Sequence, residues 1–462
     1  MKKLLWLFLL IVALSLAAPG FLGMEAEGHY NAVVAQLQNA GYRVTDRTYA
    51  RGWFTSDARL QLELPVPQTP DAETLRLLVK THAVHGPFLG EIGQPFGLAR
   101  LDSEIWLGSE PLVVGDGTAP LRTLVGFLGS AKTLIQVPPR KVALSGGTLE
   151  TAAVSGELNF GAGERVAFGE LLMPLVRLQG SDGVVGELGG LELTVDLRRG
   201  PAGLPVGVWR FGVNRMALSA PADARAFVLD AFEVSGRSEV RDDAMDLAAD
   251  YRLRAATAEG KTYGPFDLRF AAWRLAVDAL ARIQAAGEEA AAEGATAEER
   301  SEALGVALLA NADALLAKDP SIALDQLSFD LPEGRVAASL ELRAVGLRVA
   351  ELRNAETALQ HIQGKASLRL PEVILASLLR EQGRQQLAAL AEQDPEAAQP
   401  SAEEVEAMVG QFAAQQIETL VAQQLLVRDG GAVAVAAELR NGLLTVNGKS
   451  IPLAALVKPS AP

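Results

Sequence analysis

Segments scattered from Ala58 to Leu439 place an apolar side chain at every second position and a polar one between. Ala58, Leu60, Leu62 and Leu64 alternate with Arg59, Gln61 and Glu63, and Leu191, Leu193, Val195 and Leu197 with Glu192, Thr194, Asp196 and Arg198. Val336, Ala338, Leu340 and Leu342 repeat the pattern, and Leu368 and Leu370 flank Arg369. Successive strand side chains point to opposite faces, so a period of two predicts strands with one buried and one wet face. Val433, Val435, Ala437 and Leu439 lead into Asn441-Gly442, two residues that tolerate positive φ and favour a tight hairpin. The 44 glycines fall between such segments at turn-like intervals, which favours antiparallel pairing of neighbours. The expected fold class is α+β, mainly antiparallel β, with two helical blocks and a single N-terminal transmembrane helix.

The helical blocks are expected at about 271–318 and 371–428, with a short helix at 25–40. The first is rich in Ala, Glu and Leu and breaks near Gly294. Thr296-x-x-Glu299 then has the form of a capping box, and Asp319-Pro320 closes the block. The second starts at Pro371, a favoured first helical position, and restarts at Ser401-x-x-Glu404, another capping box. Beyond that box Val405, Met408, Val409, Phe412, Ile417, Leu420 and Val421 form an apolar stripe, expected to pack onto the protein's own sheet.

Lys2-Lys3 precede a run from Leu4 to Met24 that holds no charged residue. At about 1.5 Å per helical residue, the run is roughly as long as a bilayer's hydrocarbon core is thick. Residues 1–24 are therefore expected to form a signal-anchor and 25–462 a body outside the membrane. Leu4 to Leu16 followed by Ala17-Ala18 also meets the pattern of a cleaved secretory signal. Pro19 after the best cleavage site and the apolar residues through Met24 favour retention. Lysines before the segment, with Glu25 and Glu27 after it, place Met1 in the cytoplasm and the body outside.

The absence of Cys excludes disulfides, thiol nucleophiles and thiolate zinc sites. A net charge of −14 argues against nucleic acid, whose phosphates call for clustered Lys and Arg. His82 and His85, the only near pair among four histidines, fall three apart and so on opposite faces of a strand, which disfavours shared metal ligation. There is no Gly-x-Ser-x-Gly elbow and no phosphate-binding loop; Leu144-Ser145-Gly146-Gly147-Thr148 reads as a turn between strands. No catalytic, cofactor or metal residues are expected.

Three short segments carry a family resemblance. They are Tyr49-x-Arg51-Gly52-Trp53-Phe54-Thr55-Ser56, His85-Gly86-Pro87-Phe88, and Asn441-Gly442-Leu443-Leu444-Thr445-Val446-Asn447-Gly448. Together with the lysine-led anchor they resemble the YdgA-like family of Gram-negative bacteria, a family of unknown function, along essentially the whole chain. The resemblance implies an inner-membrane anchor and a periplasmic body, and it brings no catalytic residues. Read physically, Arg51-Gly52 makes a tight lead into a strand with Tyr49 and Phe54 packing beside it. His85-Gly86-Pro87 suggests a fixed turn in which Gly permits positive φ.

The expected function is that of a non-enzymatic, membrane-anchored envelope protein that acts by binding. Its expected partners are the inner membrane, through the N-terminal helix, and a lipid or an envelope protein. The alternative is a lipid-handling module, in which a long antiparallel sheet with one apolar face shelters acyl chains, an analogy of architecture with AsmA-like envelope proteins. An enzyme comes third.

Overall fold

A computed structural model of the chain describes residues 43–452 apart from 64–75, 92–93, 108–109, 112–118, 145, 162–163, 220–226, 293–294 and 394–400, together with positions between 24 and 38. The expected anchor over 1–24 lies, apart from Met24, outside the described residues. Among the described residues no helix is long and apolar enough to cross a membrane. Of the helix expected at 25–40, the described positions 26–28, 30, 31, 34, 35, 37 and 38 are helical. The chain divides into two compact units, Met1–Val240 with Leu280–Asn311, and Arg241–Ala279 with Ala312–Pro462.

The first unit is antiparallel throughout its described sheet. It opens with β1 (Arg43–Arg51), β2 (Thr55–Glu63), β3 (Arg76–His85), β4 (Ala99–Leu107) and the short β5 (Glu110–Pro111). β6 (Leu121–Val125), β7 (Ala131–Val137), β8 (Arg140–Leu144), β9 (Gly147–Thr151) and β10 (Val154–Phe160) follow. Four long strands complete it: β11 (Arg165–Gly180), β12 (Val185–Arg199), β13 (Pro205–Ser219) and β14 (Phe227–Arg241). The pairing order is β1–β2–β3–β4–β6–β7–β10–β11–β12–β13–β14. The β8–β9 hairpin is inserted between β7 and β10, and β9 pairs the second half of β11. Turns therefore alternate between the two ends of the sheet.

The second unit repeats the plan. Its strands are β15 (Ala244–Ala258), β16 (Lys261–Tyr263), β17 (Phe266–Ala276), β18 (Ser321–Leu331) and β19 (Gly334–Ala344). β20 (Ile362–Pro371), β21 (Val427–Asp429), β22 (Ala432–Arg440), β23 (Leu443–Val446) and β24 (Lys449–Pro452) complete it. They pair in the order β15–β17–β18–β19–β20–β22–β23–β24, again antiparallel. The expected hairpin at Asn441-Gly442 joins β22 to β23, with φ of 52° and 72° at its two residues.

Both helical blocks are smaller than the sequence suggests. Residues 271–276 finish β17, and the helices run Val277–Ala292, Ala297–Ala310 and Ala312–Leu316. Ala271 and Ala272 are good helix formers by intrinsic propensity, but they sit between β15 and β18, buried, and tertiary pairing overrides propensity. Pro371 is not a first helical residue. It ends β20 opposite Ala432, and the helix runs Glu372–Gln393. After Ala402–Ala422 the chain returns to strand at Val427–Asp429.

Both capping boxes are formed, Thr296 with Glu299 and Ser401 with Glu404. The apolar stripe of Ala402–Ala422 buries Val409, Ala413 and Ile417, leaves Met408 exposed, and turns toward another helix rather than the sheet. Gly383 of Glu372–Gln393 admits it, since a Cβ there would lie 3.3 Å from both Val409 and Phe412. The start of Glu372–Gln393 in turn covers one end of the second sheet, where Ile374 and Leu375 pack on Val336, Leu370 and Val433.

Candidate functional site

The residues of the first two motifs form the turns at one end of the first sheet. Gly52 closes the β1–β2 turn by donating its N–H to the Thr55 carbonyl at 2.8 Å, and a Cβ on it would lie 2.7 Å from that oxygen. Gly86 does not adopt positive φ as expected. Its constraint is space, because a Cβ there would stand 1.7 Å from the Gly97 carbonyl oxygen. The Gly86–Pro87 peptide is cis. Arg51 is exposed and pairs with Glu27 at 3.2 Å. Tyr49 packs at a tilt against Tyr30, with ring centroids 5.4 Å apart, whereas Phe54 points into solvent instead of packing.

Ser56 and His85 are 1% and 3% exposed and meet at 3.0 Å, Oγ to Nε2. The other ring nitrogen, Nδ1, lies 3.3 Å from the Trp53 carbonyl oxygen. A carbonyl only accepts, so Nδ1 carries the proton and Nε2 accepts from the serine hydroxyl. Serine donating to histidine is also how a serine nucleophile meets its base. Here the pair is sealed from solvent and locks β2 to β3. His82, on the opposite face, bonds Asp57 at 2.8 Å in the open, so the two histidines are separated as their spacing predicts. Among the described residues no His, Cys, Asp and Glu cluster is poised to hold a metal. At the other motif, Asn447 and Gly448 form the β23–β24 turn. The Asn447 side chain accepts from the Ala436 N–H at 2.8 Å and donates to the Gln424 carbonyl at 3.3 Å.

The feature that no motif reveals is how the register sorts side chains. Residues opposed in antiparallel strands share a face. One row runs Tyr49, Ala58, Thr81, Ser103, Leu121, Ile135, Gly156, Leu171, Leu193, Phe211 and Val234, one residue from each strand of the first unit's main row. It contains no charge. The adjacent row, on the other face, runs Asp57, His82, Asp102, Arg122, Leu134, Glu157, Glu170, Thr194, Arg210 and Ser235. On that wet face Arg122 reaches Asp102 at 2.7 Å and Glu91 at 3.1 Å, and Arg100 reaches Asp102 at 2.8 Å and the Leu89 carbonyl at 2.6 Å. These bonds hold the Arg122 guanidinium above its ordinary pKa, the hydrogen bond to Asp102 contributing most.

The second unit is sorted the same way. Tyr251, Leu268, Leu327, Ala338, Leu368 and Val435 form one apolar row, and Ala249, Phe270, Leu324, Leu340, Ala366, Ala437 and Val446 the next on that face. Glu341, Lys365 and Glu438 stand side by side on the reverse. The apolar faces are incompletely covered. In the first unit Val213 and Val234 are buried, Leu193, Val195 and Phe211 are half-buried, and Trp209 is exposed. In the second, Phe270 is 45% and Ile322 46% exposed. A pocket of about 320 Å³ opens between Leu253, Tyr263, Phe266, Phe329 and Leu331, with an almost wholly apolar lining. In the first unit the apolar surface ends at a charged group, where Arg177 meets Glu187 at 2.6 Å and Arg215 meets Asp230 at 3.2 Å. From Ala167 to Leu175 on β11, that leaves roughly 27 Å of apolar strand.

The sequence profile of a family described as "Bacterial protein of unknown function (DUF945)" matches residues 1–454. The chain belongs to the DUF945 family. No curated protein and no solved structure matches it. In this DUF945 chain the motif residues therefore build turns, and the broad chemical asymmetry of the sheets is the candidate site.

Proposed function

We propose that this DUF945 protein is a non-enzymatic component of the cell envelope, held in the inner membrane by Leu4–Met24 with its body in the periplasm, and that it binds acyl chains along its sheets. The YdgA-like resemblance and the lysine-led apolar run support the setting. The observation that carries the mechanism is the predominantly apolar face in each unit, backed by a charged face and left partly open to solvent. Large exposed apolar surface is costly to a protein that does not use it. A mainly apolar face as wide as a whole sheet, with its hydroxyls paired to one another, matches the chemistry of a lipid tail rather than of a small polar ligand.

Photo-crosslinking tests this reading. A photoreactive phenylalanine at Phe270 or Phe211 should capture phospholipid in intact cells, detectable as a lipid-sized mass increase. The same residue at Glu341 or Arg210, on the charged faces, should not. Equal labelling of both faces, or capture of protein alone, would remove the lipid reading.

A further inference from the structure

One end of the first sheet carries a rim of solvent-exposed apolar side chains. Trp53 and Phe54 occupy the β1–β2 turn, Phe88 and Phe96 the β3–β4 connection, and Phe127 and Leu128 the β6–β7 turn. All six are more than half exposed, and Leu128 reaches 85%. Turn tips usually carry Gly, Pro, Asn, Asp or Ser, so apolar pairs at three turns run against the ordinary chemistry of a water-facing edge.

These tips are held rigidly. Gly126 donates to the Ser130 carbonyl at 2.7 Å and Gly129 to the Gly126 carbonyl at 3.0 Å, which thrusts Phe127 and Leu128 outward. Phe88 and Phe96 face each other across an isolated bridge, ring centroids 4.8 Å apart. Behind them Leu89 is buried and its carbonyl is fixed by Arg100.

The described helical residues that precede β1 reach the same end. Glu27 lies against Arg51, the last residue of β1, beside the Trp53 turn. Tyr30 lies farther from the rim, bonded to the Arg59 carbonyl at 2.6 Å and packed on Tyr49. The helical residues therefore run away from the rim, and Met24, exposed and helical, precedes Glu27 by three residues on the rim side.

We propose that this rim is a second, interfacial membrane contact, with the six side chains seated among the headgroups of the bilayer that holds the anchor. The proposal rests on the reading of Leu4–Met24 as an anchor. Aromatic side chains on rigid tips suit this zone, where their apolar bodies leave water without crossing the hydrocarbon core. The contact would place the start of the first apolar face against the membrane, so that an acyl chain passes from bilayer to sheet without crossing water.

The chain has no Cys, so a single introduced one takes a spin label uniquely. Full-length Leu128→Cys and Phe88→Cys, labelled and reconstituted in phosphatidylethanolamine–phosphatidylglycerol vesicles, should lose collisions with a water-soluble nickel chelate and gain them with oxygen. Ser181→Cys, at the opposite end of β11 and roughly 45 Å along the strand, should stay accessible to the chelate. Protein that floats with the vesicles while Leu128→Cys remains as wet as Ser181→Cys would overturn the rim contact, leave the anchor standing, and point to a protein on the rim. Protein that does not float would remove the anchor and the proposal together.

Discussion

Ser56 and His85 show how a motif residue can be chemically suggestive and structurally committed. Both are buried, each satisfies the other, and His85 also holds the Trp53 carbonyl. His85→Ala should cost about 2–4 kcal/mol, because it opens a cavity and strands the serine hydroxyl. Arg51, at the end of β1, is tied to a carboxylate, but the pair with Glu27 lies in solvent. Arg51→Ala should cost less than about 1 kcal/mol. Chemical denaturation of the two variants separates these outcomes, and equal losses would contradict the burial argument. The serine-histidine contact was not legible in the sequence. Positions 56 and 85 are brought together only by the β2–β3 register, which sets Ser56 opposite Ala83 and His85 one pair beyond the end of β2.

At the scale of the element, the sequence was most informative where the signal is local. The period of two at Leu191–Leu197 gave β12, the Asn441-Gly442 pair gave a hairpin, and two capping boxes gave helix starts. It misled at 271–276 and Pro371, where neighbouring strands decide and local propensity does not. Ser401→Ala should weaken the last helix by about 1 kcal/mol, seen as earlier loss of helical circular dichroism on denaturation. The Glu404 carboxylate is held below its usual pKa, chiefly by the Ser401 backbone N–H. Its stabilisation is therefore present above the unfolded value, about 4.3, and is lost as pH falls through the lower folded value. The difference between Glu404→Ala and the parent should shrink as pH is taken from 7 to below about 4. Asn447→Ala should cost about 1–3 kcal/mol, since Asn447 sits at φ 48° and two side-chain hydrogen bonds go with it. A loss confined to a few tenths would show that the turn is held by its strands alone.

For the whole molecule, the apolar faces were half visible. Each alternating segment announced one apolar side, but only the register shows that every such side falls on the same face of its sheet. The exposed rim was not visible at all, because Trp53, Phe96 and Leu128 are far apart in sequence and each alone is an ordinary loop residue. Because Ile322 is exposed, Ile322→Ser should change stability by no more than about 0.5 kcal/mol. It should nevertheless reduce binding of a fluorescent fatty acid, measured by titration. Unchanged binding would place the ligand elsewhere. Membrane-extracted protein should begin at Met1 by N-terminal sequencing, and a mature end near Pro19 would replace the anchor with a cleaved signal.

Pairing of strands with near neighbours in the chain has one more consequence. Such a row is a ruler graduated in hairpins, since each added pair of strands widens it by about 10 Å and leaves every other register untouched. The β8–β9 hairpin is an insertion of another kind: it falls between β7 and β10 in the chain, leaves those two paired, and docks on the second half of β11. Evolution can lengthen or shorten a surface of this design by duplication or loss of single hairpins, with no redesign of the rest.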